Sequence, residues 1–150
     1  MMAANELLHI QVSEVMTTDL IKVKQDTILK DVKILFDKHN IHHIPVINDQ
    51  GKFVGIISKT DLNLLMDWGT KLELPSSLRR NTFLLTSNLA KDIMVSNVMK
   101  LKPNDTLNRC VQIFRENYFR ALPIVNDNDE LEGIITTYDL MILAYSKPNN

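Results

Sequence analysis

The chain contains very little cysteine and glycine, and neither sign of charge is in excess. Cys110 is the only cysteine among 150 residues, which excludes a disulfide framework and a cysteine-based zinc site. The four glycines form no Gly-x-Gly-x-x-Gly phosphate loop. Seventeen basic and 18 acidic residues leave a net charge of −1. The basic stripe that non-specific nucleic-acid binding requires is therefore missing.

Long apolar runs are also absent. No run approaches the roughly 20 residues of a membrane-spanning helix, and the first eleven residues lack the basic and apolar regions of a secretion signal. Apolar residues make up 45% and charged residues 23% of the chain, as in ordinary globular proteins. We therefore expect a cytoplasmic protein whose partners include neither a membrane nor a nucleic acid.

Much of the sequence occurs twice. The stretch GIISKTDL at 55–62 returns as GIITTYDL at 133–140. Three further pairs of segments match in the same order: 14–16 with 92–94, 26–28 with 105–107, and 44–49 with 122–127. The separation is 78 or 79 residues throughout. Ordered matches at a nearly constant separation indicate an internal duplication.

The first repeat predicts the element order β-α-β-β-α. Asp26 and Thr27 are good N-caps for an amphipathic helix, which Asn40 is expected to end. Two apolar strands over 44–47 and 53–57 follow, joined by a polar turn. A last helix is expected to begin between residues 58 and 61 and to run to about residue 68.

The second repeat predicts the same order, so the expected fold class is α+β. Its predicted features are caps at Asp105 and Thr106, strands over 122–125 and 131–135, and a helix over 137–145. The expected boundaries are an N-terminal segment 1–11 with a short helix, repeats 12–67 and 90–146, a packed linker 68–89 ending in a helical turn, and a tail 147–150. Because about 55 residues make a small core, we expect the repeats to pack sheet to sheet into one compact module.

Three marks carry a family resemblance. They are Val-Met-Thr at 15–17, echoed by Ile-Met-Val at 93–95; an apolar-Pro-apolar strand before an Asn-Asp turn; and Gly-apolar-apolar-Ser/Thr-x-x-Asp-Leu. With these marks in order twice, the chain resembles a tandem pair of cystathionine-β-synthase (CBS) domains, the Bateman module. The resemblance implies a non-catalytic regulatory module that binds an adenosine-containing ligand in two clefts between the repeats. AMP, ADP or ATP is expected, with S-adenosylmethionine or NAD as alternatives.

Asp61 and Asp139 have two interpretations. A carboxylate near a helix N-terminus is favoured there by the free backbone N–H groups and the helix dipole, so each Asp is explained by capping alone. Alternatively, its two oxygens accept hydrogen bonds from a ribose diol. Ser58 and Thr136, three residues upstream, would then direct a hydroxyl at a phosphate, and Thr60 would add another.

The phosphate would also need positive charge. Arg120, His42 and His43 lie two or three residues before the strand prolines, at positions where the family often contacts phosphate. A surface salt bridge is the alternative for Arg120. Metal binding by His39, His42 and His43 is disfavoured, because Asn40 is expected to end the helix between them and no cysteine or further carboxylate converges there.

The resemblance further implies that each site draws on both repeats. The site at Asp61 would combine Ser58, Thr60, His42 and His43 with Phe119 and segment 96–99 near the base. The site at Asp139 would combine Thr136 and Arg120 with Ile41 and the segment from Thr18 to Ile21. Phe119 and Ile41 have core packing as the alternative interpretation. Tyr138 replaces Thr60, and Ala121 replaces His43, so the two sites are expected to differ.

Three classes of function remain in competition. A ligand sensor is favoured, because both Asp residues retain an upstream hydroxyl. A ligand-independent interaction scaffold of the same fold is the alternative, and an enzyme is disfavoured because no nucleophile, metal or phosphate-loop pattern is present. The family also implies a homodimer and an unidentified effector protein. Apolar residues of the last helices would form the dimer surface: Leu62, Leu65, Met66, Trp68, Leu140, Met141 and Leu143.

Overall fold

A computed structural model describes residues 4–66 and 75–146 of the chain. Its helices are α1 (Ala4–Leu7), α2 (Leu29–Lys38), α3 (Lys59–Leu65), α4 (Pro75–Ser87), α5 (Ala90–Ile93), α6 (Leu107–Asn117) and α7 (Thr137–Tyr145). Its strands are β1 (Val23–Lys24), β2 (His43–Ile47), β3 (Phe53–Ser58), β4 (Ala121–Val125) and β5 (Leu131–Thr136). None of these helices has the length and apolar character needed to cross a membrane.

The mixed α+β fold class is confirmed, and the strands form two small sheets. In the first sheet, β1 is parallel to β2, and β2 is antiparallel to β3. In the second sheet, β4 and β5 are antiparallel, and the expected first strand is reduced to a single bridge from Leu101 to Ile124. Gln25 donates its N–H to Ile47 beside β1, whereas the matching position in the second repeat is Pro103. Proline has no N–H to continue the ladder.

The described chain divides into two compact units, each with its own core. The central unit runs from Ile21 to Val98, and the terminal unit combines the residues up to Leu20 with those from Met99 onward. The central core contains Val23, Leu29, Val32, Phe36, Ile44, Val46, Ile57, Leu62 and Ala90. The terminal core contains Val12, Leu101, Leu107, Cys110, Ile113, Leu122, Ile124 and Ile135.

The compact units cut across the sequence repeats. Residues 12–17, the first leading segment, belong to the first repeat but pack in the terminal unit, where Thr17 and Ile134 exchange backbone hydrogen bonds of 2.9 and 3.1 Å. Residues 90–95, the second leading segment, pack in the central unit, where Val95 and Ile56 exchange bonds of 2.9 and 3.0 Å. Each sheet therefore gains an edge from the other repeat.

The repeated methionine and glycine are explained by this exchange. A methyl group on Gly133 would lie 2.5 Å from the Met16 sulfur, and one on Gly55 would lie 2.6 Å from the Met94 sulfur. Both distances are well below van der Waals contact, so a methyl group at either glycine would force the methionine or the strand to move. The two residue types recur in the sequence because each repeat supplies the methionine for the other repeat's strand.

The predicted N-caps of α2 were wrong. The helix begins at Leu29 with Ile28 as its N-cap residue, and no side chain caps it. Residues 88–90 replace the cap: Leu29 donates to the carbonyl of Asn88 at 2.9 Å, and the Thr27 carbonyl accepts from Ala90 at 2.7 Å. A segment distant in the sequence thus satisfies an N–H group at the start of α2 that local capping would otherwise satisfy.

The caps of α6 were predicted with partial success. The Thr106 hydroxyl accepts from the Arg109 N–H at 3.4 Å, so Thr106 is confirmed as the N-cap. Asp105 has a different role, because its carboxylate accepts from the Lys102 N–H at 2.8 Å in the preceding turn.

The linker contains more helix than its sequence predicted. Instead of a helical turn at its end, it holds the 13-residue helix α4, which packs against α2. The buried residues of α4 are the polar Ser77 and Asn81, whereas Phe83 is 68% exposed. A helix that buries polar residues has no apolar stripe to reveal it. In the N-terminal segment, α1 spans Ala4–Leu7, and residues 67–74 and 147–150 lie outside the described residues.

Candidate functional site

The repeated Asp in the central unit lies in the first turn of α3. Ser58 ends β3 and is the N-cap of α3, where its hydroxyl accepts from the Asp61 N–H at 3.0 Å. The Asp61 carboxylate is exposed and makes no hydrogen bond or ion pair with any described residue. Thr60 is also exposed in this turn. The carboxylate is therefore free to accept hydrogen bonds from a ligand.

The repeated Asp in the terminal unit is held differently. The Thr136 hydroxyl accepts from the Asp139 N–H at 3.2 Å, and the Asp139 carboxylate accepts from the Thr136 N–H at 2.8 Å. This reciprocal capping box satisfies two donors at the start of α7. The capping interpretation of Asp139 is therefore realised in the structure, and its carboxylate, unlike that of Asp61, is partly engaged.

The predicted phosphate contacts lie beside these helix starts. The carbonyl of His42 accepts from the Lys59 N–H at 2.8 Å, and that of Arg120 accepts from the Thr137 N–H at 3.0 Å. His43 stands opposite Ser58 in the β2–β3 ladder. Each unit thus gathers its own basic residue and hydroxyl–Asp pair at one end of its sheet.

The side chains of these basic residues differ in exposure. Those of His42 and Arg120 are exposed, and His43 is half-buried. The salt bridge considered as the alternative for Arg120 is not seen, since Arg120 forms no ion pair within residues 4–66 and 75–146. The guanidinium therefore keeps its five donors for other partners.

The leading segments bring further predicted residues to the same sheet edges. Thr18 follows the Thr17–Ile134 bridge and is exposed in the terminal unit, which also holds Asp139. Residues 96–98 follow the Val95–Ile56 bridge in the central unit, which also holds Asp61. Ile21 does not accompany Thr18, because it belongs to the central unit and packs on the central core.

Phe119 and Ile41 both pack in their own units. Phe119 is partly buried against the terminal core, and Ile41 is partly buried against the central core. This contact agrees with the core-filling interpretation of each residue. Their assignment to the wall of the opposite repeat's site stays a prediction.

The described residues form no candidate metal site, and the cysteine among them is buried. No group of three His, Cys, Asp or Glu side chains capable of holding a metal ion occurs in the described ranges. Cys110 is fully buried in the terminal core, and burial raises the pKa of its thiol from 9.0 to about 12. Because the thiolate is the nucleophile, this thiol is inert at neutral pH.

A groove beside α7 was not predicted from the sequence. It has a volume of about 340 Å³ and is lined by Val15, Tyr138, Asp139, Ile142, Leu143 and Ser146. The groove could have been suspected from the sequence of α7, which is apolar on all sides. Such a pattern ordinarily indicates a helix that is buried against another surface. None of its residues is fully buried, and Met141 and Ile142 are about half exposed.

The predicted dimer surface is only partly available. Leu62 was assigned to it wrongly, because its side chain is 1% exposed in the central core. Leu140 and Leu143 pack partly against the terminal core. Leu65 and Met141 are exposed at 43% and 50%, and Trp68 lies outside the described residues.

The sequence matches a known family over most of its length. The model of the family described as "CBS domain" matches residues 12–66 and again residues 90–145. The uncharacterized protein MJ1426 of Methanocaldococcus jannaschii is 34% identical, in an alignment that covers 81% of this chain and 83% of that protein. The chain spans only 45% of MJ1225 from the same organism and 22% of a homoserine O-acetyltransferase from Methanosalsum zhilinae.

Solved structures share the fold. CBSX2 of Arabidopsis thaliana, solved in complex with AMP, is 23% identical with a TM-score of 0.74, and the match covers 93% of this chain and 99% of that one. The CBS domain pair of protein MJ0100, solved with 5′-methylthioadenosine and S-adenosyl-L-methionine, is 21% identical with a TM-score of 0.71. That match covers 90% of this chain and 95% of the other.

Proposed function

The chain belongs to the CBS-domain family, with one CBS domain in each repeat, and we propose that it binds an adenosine-containing ligand and reports its level to a partner protein. AMP, ADP or ATP is the expected ligand, with S-adenosylmethionine or NAD as alternatives. CBS pairs of the same fold carry AMP in CBSX2 and S-adenosyl-L-methionine in MJ0100. Both ligands share an adenosine group, which is what this chain would recognise.

One observation carries the proposal: each repeat places an Asp carboxylate, a hydroxyl and a basic residue at the end of its sheet. In the central unit these are Asp61, Ser58 and His42, and in the terminal unit Asp139, Thr136 and Arg120. A carboxylate accepts two hydroxyl groups at once, as the ribose diol requires. Hydroxyl and cationic donors suit the phosphate.

A ligand-independent scaffold is the second candidate. The Thr136–Asp139 capping box favours it in the terminal unit, because capping explains this pair without a ligand. Asp61 lacks this bond, because its exposed carboxylate makes no hydrogen bond or ion pair with a described residue, and only the helix dipole would explain it without a ligand. The sensor is therefore the better account of the central unit.

The sensor would act through other proteins. We propose that the module forms a homodimer and that an effector protein responds to its ligand. Exposed Leu65 and Met141, on α3 and α7, offer apolar surface for the dimer. Sedimentation velocity with and without nucleotide would show the subunit number and whether the ligand changes it.

A thermal-shift titration of the full chain tests the proposed function. We expect AMP, ADP or ATP to raise the Tm, because a ligand that binds only the folded state stabilises it by mass action. S-adenosylmethionine and NAD are tested in parallel, and guanosine and inorganic phosphate are the controls. A Tm unchanged by every adenosine compound at millimolar concentration would support the scaffold instead.

A further inference from the structure

Two methionine contacts hold the leading segments against the sheets. Met16 covers Gly133 so closely that a methyl group there would lie 2.5 Å from its sulfur and 2.8 Å from its Cγ. Met94 covers Gly55 in the same way, at 2.6 and 2.8 Å. Both methionine side chains are half-buried, so solvent reaches them while their sulfurs lie against the strands.

Each methionine–glycine contact lies beside the last backbone hydrogen bonds between its leading segment and the sheet. Thr17 bonds with Ile134, and residues 18–22 then follow without regular structure until β1 begins at Val23. Val95 bonds with Ile56, and residues 96–100 follow in the same way until the bridge at Leu101. Each methionine therefore stabilises the last backbone contact of its segment. Loss of the methionine contact would also release the residues that follow, 18–22 or 96–100.

From this arrangement we propose that Met16 and Met94 form a pair of redox-sensitive clasps, which a hydroperoxide opens by converting each thioether to a sulfoxide. The sulfur takes one oxygen atom and loses two electrons. The O–O bond of hydrogen peroxide breaks, and water leaves. Nothing else is consumed, and methionine sulfoxide reductase reverses the step.

Oxidation weakens the packing of the methionine side chain against the strand. The sulfoxide adds an oxygen and a strong dipole to a group that was apolar and already in close contact with a strand. The space over Gly133 does not admit one additional carbon, since the Thr17 carbonyl would also lie 3.1 Å from it. The sulfoxide oxygen therefore faces water, and its hydration favours movement of the side chain away from the strand, so that the backbone hydrogen bonds of Thr17 or Val95 lose the packing beside them.

Two exposed methionines differ from the clasps, because neither of them covers a glycine. Met99 and Met141 are 39% and 50% exposed, and no close contact with a glycine involves either of them. Oxidation at Met99 or Met141 therefore adds a polar group to an exposed side chain that secures no leading segment. The pair Met99 and Met141 thus provides a matched control for the pair Met16 and Met94.

Hydrogen–deuterium exchange of the full chain, before and after hydrogen peroxide, tests the clasps. Mass spectrometry first identifies the oxidised methionines. In the wild type and in M99L/M141L, we expect peroxide to speed exchange at Thr17, Ile134, Val95 and Ile56 several-fold. In M16L/M94L, which cannot be oxidised at the clasps, exchange should stay unchanged, and reductase should restore the wild type.

Single variants keep the test decisive if the double variant folds poorly. In M16L, peroxide should open only the Val95–Ile56 contact, and in M94L only the Thr17–Ile134 contact. Equal acceleration in M16L/M94L and the wild type would overturn the proposal, as would resistance of Met16 and Met94 to peroxide that oxidises Met99 and Met141. This readout needs no ligand, so it stands or fails separately from nucleotide binding.

Discussion

The backbone N–H of Thr136 donates to the Asp139 carboxylate at 2.8 Å, while the hydroxyl of Thr136 accepts from the Asp139 N–H at 3.2 Å. The matching pair in the other repeat, Ser58 and Asp61, forms only the second of these bonds. Two nearly identical sequence motifs therefore leave their carboxylates in different states. The Asp139 carboxylate accepts a backbone hydrogen bond at the start of α7, whereas the Asp61 carboxylate makes no bond to a described residue.

This difference predicts unequal effects on stability. Asp139→Ala should lower the free energy of unfolding by about 1 kcal/mol, the usual cost of losing a helix cap. Asp61→Ala should change it by less than about 0.5 kcal/mol, as for surface positions without partners. Urea unfolding without nucleotide measures both. Equal losses would mean that Asp61 also contributes to the fold.

The same pair predicts how the ribose is recognised. Asp61→Ala should weaken binding of AMP about tenfold or more, since a hydrogen bond to a charged group contributes about 1.5–3 kcal/mol. The wild type should bind 2′-deoxy-AMP more weakly than AMP, and Asp61→Ala should remove that preference. Isothermal titration calorimetry measures all four affinities, with Asn63→Ala, an exposed change in the same helix, as the control. Equal affinity of the wild type for both nucleotides would show that neither Asp holds the diol.

The elements that sequence predicted well are those determined by local pattern. Strands β2 to β5 and helix α7 lie within one residue of the predicted ranges, because apolar runs and turn residues mark them directly. The N-cap of α2 was predicted wrongly, because the Leu29 N–H donates to the carbonyl of Asn88, about 60 residues further along the chain. Helix α4 was underpredicted, because it buries Ser77 and Asn81 instead of an apolar stripe.

The two hydroxyl–Asp pairs at helix starts were predictable from the repeat, but the hydrogen bonding of their carboxylates was not. Repetition alone identified Asp61 and Asp139 together with their hydroxyl partners. Whether a carboxylate bonds back to the backbone depends on side-chain orientation within one helical turn, which residue spacing does not reveal. The exchange of leading segments could not be predicted either. The sequence shows that Met16 and Gly133 each have a counterpart in the other repeat, but it does not show that the two residues are in contact.

Burial of Cys110 predicts a pH dependence of stability. Its thiol has a pKa of about 12 in the folded state, against 9.0 when it is accessible. Between these values the unfolded chain loses the proton while the folded chain retains it, so stability falls as pH rises above about 9. The loss approaches about 1.4 kcal/mol for each pH unit.

Urea unfolding of the wild type and Cys110→Ala at pH 8 and pH 10.5 isolates this contribution, because other groups titrate equally in both proteins. The variant should start less stable, owing to the cavity it creates. It should then lose less stability than the wild type as the pH rises. Parallel losses in the two proteins would show that the buried thiol does not titrate as its burial predicts.

The contact between Met16 and Gly133 predicts a rescue between two repeats. Gly133→Ala should lower the free energy of unfolding by about 1–3 kcal/mol, because the new methyl group overlaps the methionine sulfur in a buried strand. Met16→Ala removes that sulfur, so the double variant Met16→Ala/Gly133→Ala should be more stable than the sum of the single losses implies. A coupling of about 0.5 kcal/mol or more is typical of residues in contact. Gly51→Ala is the control: it strains a backbone with φ of 77°, but the new methyl group would meet no atom within 4 Å, so Met16→Ala should not rescue it. Coupling of the same size in both cycles would show that the rescue is not specific to the Met16–Gly133 contact.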